Sequence, residues 1–212
     1  MKTMALGFVY NVFHLREMFR KRRLRLEFLD WEKKGKPVPP PNVVKQRVLR
    51  EYSKNYGLKL LVETGTFLGD MVDAMRNDFD RIYSIELSKD LHERAVKRFQ
   101  GIHTIELIHG DSGSELEKLI NKIHQPALFW LDSHYSAGET AKGAKDTPII
   151  EELQHIFNAA DLGHVIIIDD ARSFGTDPAY PTIEEVSKFV VSKRSNVVVV
   201  VKDDSIRIVP KK

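Results

Sequence analysis

From residue 43 onward, short apolar runs alternate with segments whose apolar residues recur every three or four positions. The runs are rich in Val, Ile and Leu, which predicts strands. They cover residues 58–63, 81–86, 104–108, 127–131, 165–168, 196–201 and 206–209. The helical spacing of the other segments predicts helices at 43–56, 70–76, 89–99, 114–123, 148–159 and 183–192.

Strict alternation of strands and helices, with nearly continuous apolar strands, predicts an α/β fold with a doubly wound, mostly parallel sheet. The last two strands depart from this pattern because only residues 202–205 separate them, which predicts an antiparallel C-terminal hairpin. We therefore expect five parallel strands and a reversed strand at one edge of the sheet.

The N-terminal part of the chain differs in composition from the rest. Residues 1–54 contain 14 Lys and Arg against 5 Asp and Glu, a net charge of +9, whereas residues 55–212 contain 19 against 25, a net charge of −6. We predict a basic, amphipathic helical segment at 1–36, with its helix at 6–31, a Pro-rich spacer at 37–42 and the main domain at 43–212. The helix suits either peripheral contact with an anionic membrane or packing on the domain or on a second subunit of a homodimer.

Composition narrows the chemistry and the location. The chain of 212 residues has no cysteine, which excludes disulfides, cysteine zinc sites and a cysteine nucleophile. Its apolar runs all fall short of the roughly 20 residues that cross a bilayer. We read no secretory signal at the N-terminus and expect a cytoplasmic protein, with peripheral membrane contact as the variant.

The predicted parallel strands share one property: each ends in an acidic side chain or leads directly to one. These acidic residues are Glu63, Glu86, Asp111, Asp132 and the pair Asp169–Asp170. In open α/β sheets ligands bind at the carboxyl ends of the strands. The sequence therefore predicts a ligand site on an acidic rim.

The chain resembles the class I S-adenosylmethionine-dependent methyltransferases over roughly residues 43–209. The family's acidic residue and glycine turn after the first strand correspond to Glu63, Gly65, Thr66, Phe67 and Gly69. The resemblance implies that this turn approaches the methionine part of S-adenosylmethionine, that Glu86 binds the ribose hydroxyls, and that Asp111 and Ser112 lie at the adenine, with Asp132 also beside the cofactor. A dinucleotide site is disfavoured because Phe67 stands where the second glycine of that fingerprint makes room for a pyrophosphate.

The segments around Asp132 and Asp169–Asp170 resemble the metal-dependent O-methyltransferases, including the macrocin O-methyltransferase group. That resemblance implies a Mg²⁺ ion on Asp132, Asp169 and Asp170, and three clustered carboxylates need a cation. Alternatively Asp169–Asp170 only ends the strand and Arg172 offsets its charge. His134 is the candidate general base, or a loop histidine that shapes the site, and Asp132 is the other candidate base.

Residues 136–147 are polar and contain glycine, which predicts a loop over the substrate, where Lys142 and Lys145 either bind an anionic substrate or are solvated. The resemblance implies an enzyme, and its reaction as O-methylation of a small molecule or sugar. Two alternatives stay open: methylation of RNA or protein with the basic segment 16–25 as a phosphate contact, and a non-catalytic domain of the same fold.

Overall fold

The structure, a computed structural model, describes residues 2–133 and 147–211, with side chains described from residue 18 onward. The chain divides into two compact units, Met1–Lys45 and Gln46–Lys212. This boundary falls just inside the main domain predicted at 43–212, within the helix that begins at Asn42.

The first unit consists of one long helix and the segment that follows it. Helix α1 (Lys2–Lys33) is longer than the predicted helix at 6–31. Trp31 is buried against the first turn of the next helix in a small cluster with Leu24, Phe28, Val43 and Val44, and its Nε1 donates to the carbonyl of Pro37 at 2.8 Å.

A second set of apolar side chains on α1 is exposed, namely Met18, Phe19, Leu26 and Leu29. At about 100° per residue, these four positions fall within about 100° of one another around the helix axis. The identity of their partner, a membrane surface, a second subunit or the main domain, stays a prediction.

The second unit alternates strands and helices as the sequence predicts. Helix α2 (Asn42–Tyr56) leads into it. The strands are β1 (Leu60–Thr64), β2 (Arg81–Glu86), β3 (Ile105–His109), β4 (Ala127–Leu131), β5 (Val165–Ile168), β6 (Val197–Lys202) and β7 (Ser205–Pro210). The helices are α3 (Asp70–Met75), α4 (Lys89–Arg98), α5 (Ser112–Ile120), α6 (Ile149–Asn158) and α7 (Ile183–Lys193), and a 3-10 turn covers Ala171–Ser173.

The seven strands form a single mixed sheet in the order β3-β2-β1-β4-β5-β7-β6. The first five are parallel, and β7 pairs antiparallel with both β5 and β6. The predicted α/β class and C-terminal hairpin are confirmed, but the reversed strand β7 lies inside the sheet and β6 forms the edge. Burial explains this order, because Ile206 and Ile208 of β7 are almost fully buried whereas Val198 and Val200 of β6 are exposed.

Both faces of the sheet are covered by apolar clusters. Val62 of β1 packs in the cluster on one face, with α5, α6 and α7. Its neighbour Leu61 packs in the cluster on the other face, with α2, α3 and α4. Strand order reverses between β1 and β4, which is where open α/β sheets form their ligand crevice. Among the described residues, no helix is both long enough and apolar enough to cross a membrane, and the predicted cytoplasmic location remains untested.

Candidate cofactor and metal site

The turn after β1 lies directly against the end of β4. Gly65 has φ +85°, and a Cβ built on it would lie 2.4 Å from the carbonyl oxygen of Asp132. Glycine is needed here because any side chain would collide with that backbone. The sequence-predicted cofactor turn and the predicted metal ligand Asp132 are therefore in contact.

Two further residues of this turn are held by packing and hydrogen bonding. Thr66 is buried, and its hydroxyl lies 2.6 Å from Ser84 Oγ. Gly69 has φ +79°, and a Cβ there would lie 2.7 Å from Cε2 of Phe99. These contacts restrict the backbone conformation of the turn up to the start of α3.

Glu86 at the end of β2 secures the same turn. Its Oε2 accepts from the backbone N–H of Phe67 at 2.7 Å, and its Oε1 accepts from the N–H of Ser88 at 2.8 Å. Phe67, which itself has φ +49°, is exposed beside this contact. A carboxylate has about four acceptor positions, so two remain on Glu86 beyond those that the backbone uses.

Glu63 lies under the turn and not on the open rim. It is 1% exposed, and Ser84 Oγ donates to its Oε2. Burial raises the pKa of Glu63 to about 8, and the nearby carboxylates of Asp132 and Glu86 act in the same direction, while the Ser84 hydrogen bond opposes them. Burial therefore favours the protonated carboxyl at Glu63 over the carboxylate near neutral pH.

Of the two predicted adenine residues, Asp111 caps a helix and Ser112 belongs to a series of hydrogen-bonded polar side chains. Asp111 is the N-cap of α5, where its Oδ1 accepts from the N–H of Ser114 at 3.2 Å. The hydroxyl of the next residue, Ser112, donates to Ser133 Oγ at 3.1 Å, and Ser133 donates to Oε1 of Glu152 at 2.6 Å. These hydrogen bonds connect the first residue of α5, Ser112, through Ser133, which follows Asp132, to Glu152.

Glu152 is a site residue that sequence reasoning missed. It is 1% exposed, and burial raises its pKa to about 6, against the opposing hydrogen bonds of Ser112 and Ser133. The nearby Thr64 also lowers that pKa, but its buried Oγ1 has no partner of hydrogen-bond geometry among the described residues. Its position in the sequence could have indicated burial, because Glu152 lies on the apolar face of α6 with Ile149 and Ile156.

Asp132, Asp169 and Asp170 form an acidic cluster at the ends of the adjacent strands β4 and β5, as predicted. Each offers a carboxylate oxygen within 4.8 Å of the other two. Ligands of Mg²⁺ lie at 2.0–2.1 Å from the ion, so opposite ligands are about 4.2 Å apart. Three ligands of one ion include at most one such opposite pair, so the carboxylate oxygens are of the right type and close enough to converge on one divalent cation after local movement.

The predicted counter-charge from Arg172 is also present. Its Nη1 donates to Oδ1 of Asp170 at 2.8 Å and to Oδ2 of Asp204, which lies in the turn between β6 and β7. The predicted contact with Arg172 is thus present at Asp170, whereas a metal ion on Asp132, Asp169 and Asp170 stays a prediction.

A pocket opens beside the acidic cluster. Its lining includes Asp132, Ser133, Glu152, Phe174 and Tyr180. The Phe174 and Tyr180 rings make an edge-to-face contact with centroids 5.1 Å apart. Burial, reinforced by the charge of Asp170, raises the pKa of Tyr180, so the side chain stays a neutral phenol. The sequence did not single out either aromatic residue, because neither lies directly at the end of a parallel strand.

Three predicted residues lie in 134–146, outside the described residues. They are the candidate base His134 and the two loop lysines, Lys142 and Lys145. Their roles, and the predicted loop over the substrate, stay predictions.

Comparisons with known proteins place the fold. The sequence matches no protein-family model and no curated protein. The structure is similar to the O-methyltransferase TomG of Streptomyces achromogenes, involved in tomaymycin synthesis, in complex with S-adenosylmethionine, with a TM-score of 0.59, 18% identity and 89% of each chain covered.

Two further structures support the same assignment. One is an O-methyltransferase of Bacillus cereus in complex with S-adenosylhomocysteine, with a TM-score of 0.59, 14% identity and 89% of this chain and 90% of that one covered. The other is the S-adenosylhomocysteine-bound Podospora anserina methyltransferase PaMTH1, with a TM-score of 0.56, 16% identity and 88% of each chain covered. The chain therefore has the fold of the class I S-adenosylmethionine-dependent methyltransferases, and its structural relatives include O-methyltransferases.

Proposed function

We propose that this protein is an enzyme that binds S-adenosylmethionine and transfers its methyl group to an oxygen atom of a small molecule or sugar. One observation carries the proposal. Asp132 belongs to the acidic cluster, while its backbone touches Gly65 of the proposed cofactor turn. A methyl donor over the turn and an acceptor at the acidic cluster would thus be neighbours, which the reaction requires.

The proposed cofactor site uses the rim residues in separate roles. The turn of Gly65, Thr66, Phe67 and Gly69 admits the methionine part of the cofactor, with Glu63 beneath it. Glu86 has two acceptor positions for the ribose hydroxyls beyond those occupied by Phe67 and Ser88. Asp111 and Ser112 border the adenine, close to the series of hydrogen-bonded polar side chains that ends at Glu152.

The transfer is a displacement in which the acceptor oxygen attacks the sulfonium methyl carbon. The oxygen–carbon bond forms as the sulfur–carbon bond breaks, which leaves S-adenosylhomocysteine. The acceptor hydroxyl gives its proton to a base, for which we propose His134, with Asp132 as the alternative. No covalent intermediate with the protein is needed.

The acidic cluster would hold Mg²⁺ through Asp132, Asp169 and Asp170. When bound, such an ion lowers the pKa of an acceptor hydroxyl. The chain's own contribution is to hold the three carboxylates at this spacing and to flank them with Phe174 and Tyr180, which suit the flat or apolar face of a small acceptor.

A small acceptor is favoured over RNA by the charge around the pocket. Glu152 joins the three aspartates of the acidic cluster in this region, and residues 55–212 carry a net charge of −6. Phosphates would be repelled there unless the basic N-terminal unit held them from outside. Methylation of RNA or protein is the runner-up function, and a non-catalytic domain is the third.

The experiment has two stages. Calorimetry with S-adenosylhomocysteine tests the cofactor site, and the absence of binding would overturn the proposal. Transfer from radiolabelled S-adenosylmethionine to pooled phenols and sugars, or to RNA, then identifies the acceptor class. Methylation of RNA alone would replace the leading proposal with the runner-up.

The metal is tested on the acceptor so found. We expect EDTA to abolish turnover and Mg²⁺ to restore it. Asp169→Asn should weaken this rescue because one ligand charge is lost, whereas Asp177→Asn, an exposed aspartate in the loop after β5, should leave it unchanged. Full activity in metal-stripped buffer would remove the ion from the mechanism.

A further inference from the structure

We propose that Asp204, in the turn between β6 and β7, keeps the carboxylate of Asp170 in the acidic cluster and thereby sets the affinity of that cluster for a divalent cation. Asp204 acts through Arg172 and is a positioning residue. The inference rests on the metal site of the proposed function.

The position of Asp204 is unusual for a hairpin turn. Asp203 and Asp204 have φ +49° and +59°, the two positive values of a type I′ turn, in which Asn-Gly or Asp-Gly is preferred. Turn side chains usually face water, yet the Asp204 side chain is only 1% exposed. A buried carboxylate in a left-handed turn position indicates a role that glycine cannot fill.

Asp204 accepts three hydrogen bonds from the two residues that follow Asp170. Its carbonyl accepts from the N–H of Ala171 at 2.9 Å, and its Oδ1 accepts from the N–H of Arg172 at 2.9 Å. Its Oδ2 pairs with the Arg172 guanidinium. The hairpin turn is thereby fastened to the 3-10 turn that follows β5.

Asp204 provides the capping hydrogen bond that Asp170 would be expected to provide. Asp170 is the N-cap of the 3-10 turn, a position at which an aspartate normally accepts from the N–H two or three residues later. Within the part of the chain that the structure describes, Asp170 makes no such bond, and Asp204 accepts from the N–H of Arg172 in its place. The Asp170 carboxylate can therefore lie with Asp132 and Asp169.

Asp204 also divides the charge of Arg172. The guanidinium contacts one oxygen of Asp170 and one of Asp204, so it does not neutralise Asp170 alone. The group of Asp132, Asp169, Asp170, Arg172 and Asp204 contains four carboxyl groups and one guanidinium. Asp204→Asn removes one of these carboxylates and leaves Arg172 to Asp170, and both changes weaken attraction for a cation.

The test compares two neighbouring aspartates of the same turn. Asp204→Asn keeps an oxygen for the N–H of Arg172 but loses the ion pair. Asp203→Asn is the matched control, because Asp203 also has a left-handed backbone and pairs at 2.9 Å with Arg207 instead. Mn²⁺ is titrated into the full chain, and the electron paramagnetic resonance signal of the unbound ion gives the dissociation constant. This measurement does not depend on turnover.

We expect Asp204→Asn to weaken Mn²⁺ binding about 10-fold or more, as loss of a residue behind a metal ligand commonly does. Asp203→Asn should change it no more than about twofold, as expected for a pair outside the metal site. Equal affinity in Asp204→Asn and wild type would overturn the inference, and so would equal weakening by both variants, which would indicate loss of hairpin stability alone.

An Arg172→Gln background shows whether Asp204 acts through Arg172. Arg172→Gln should itself tighten Mn²⁺ binding, because a competing cation is removed from Asp170, and Asp204→Asn should then weaken binding much less than it does in wild type, because only its own charge is lost. Two outcomes would overturn the inference: an undiminished effect of Asp204→Asn in that background, or weaker Mn²⁺ binding by Arg172→Gln alone. The Arg172→Gln measurement remains informative even if Asp204→Asn does not fold. Wild type that binds S-adenosylhomocysteine but no Mn²⁺ would remove the proposed metal and this inference together.

Discussion

Glu86→Gln separates two tasks that one carboxylate performs at the end of β2. In the structure each oxygen of Glu86 accepts a backbone N–H, from Phe67 on one side and Ser88 on the other. Glutamine keeps one oxygen and places an NH₂ group against the other N–H, so one of the two bonds is lost. The same amide also leaves one acceptor fewer for a ribose hydroxyl.

The size of each effect follows from these contacts. A hydrogen bond to a charged group contributes about 1.5–3 kcal/mol, so we expect the free energy of unfolding to fall by about that amount. Loss of one ribose bond of the same kind would raise the Kd for S-adenosylhomocysteine about 10-fold to 150-fold. Urea unfolding measures the first effect and calorimetry the second.

Glu93→Gln is the matched control for this experiment. Glu93 lies on α4, and its carboxylate is 4.0 Å from Lys89 Nζ with both side chains exposed. Such a pair contributes little, so both quantities should stay close to wild type. If Glu86→Gln loses stability but keeps wild-type affinity, the carboxylate only holds the turn, and the ribose assignment is refuted. If neither quantity changes, the reasoning about its backbone contacts is refuted as well.

Three other substitutions test separate features. Gly65→Ala should destabilise the protein by at least about 1–2 kcal/mol in urea unfolding, since it combines a left-handed backbone with a collision at the Asp132 carbonyl; wild-type stability would contradict this. His164, buried with its pKa lowered to about 4 chiefly by burial, accepts from the N–H of Ala127 through Nδ1. The unfolded chain takes up the proton first, so wild type should lose about 1.5 kcal/mol between pH 6.5 and pH 5, and His164→Asn, which keeps an acceptor oxygen, should not. Because the pKa of Glu63 is raised to about 8, unfolding proceeds with proton release and stability should fall as pH rises toward 8; Glu63→Gln should flatten this dependence, and parallel curves would refute the assignment.

The sequence predicts the parallel part of the fold well because strands that are buried on both faces appear as continuous apolar runs. The runs at 81–86, 127–131 and 165–168 become β2, β4 and β5 with the predicted bounds. The order of the last two strands has no such local pattern. It depends on whether Ile206 and Ile208 or the valines of β6 are buried more completely, and both runs are apolar.

The same distinction holds for the candidate site. The meeting of Asp132 with Asp169 and Asp170 follows from adjacent parallel strands, so the sequence predicts it. Glu152 reaches the pocket from a helix, and Asp204 from a turn 34 positions after Asp170 along the numbering. Long-range packing brings these two carboxylates to the site. The apolar spacing of α6 marks Glu152 as a buried residue, but no local pattern shows which site Glu152 or Asp204 joins.

The valine run of β6 has a consequence for handling the protein. Within the described part of the chain β6 pairs with β7 on one side only, and Val198, Val200 and Val201 are exposed. An uncharged stretch of β-branched residues along an open sheet edge is a template for strand addition by another molecule. Lys202 ends the run with a charge, which limits such growth at one end. Aggregation through this edge, more than the free energy of unfolding, should therefore set the concentration and temperature at which the protein can be kept in solution.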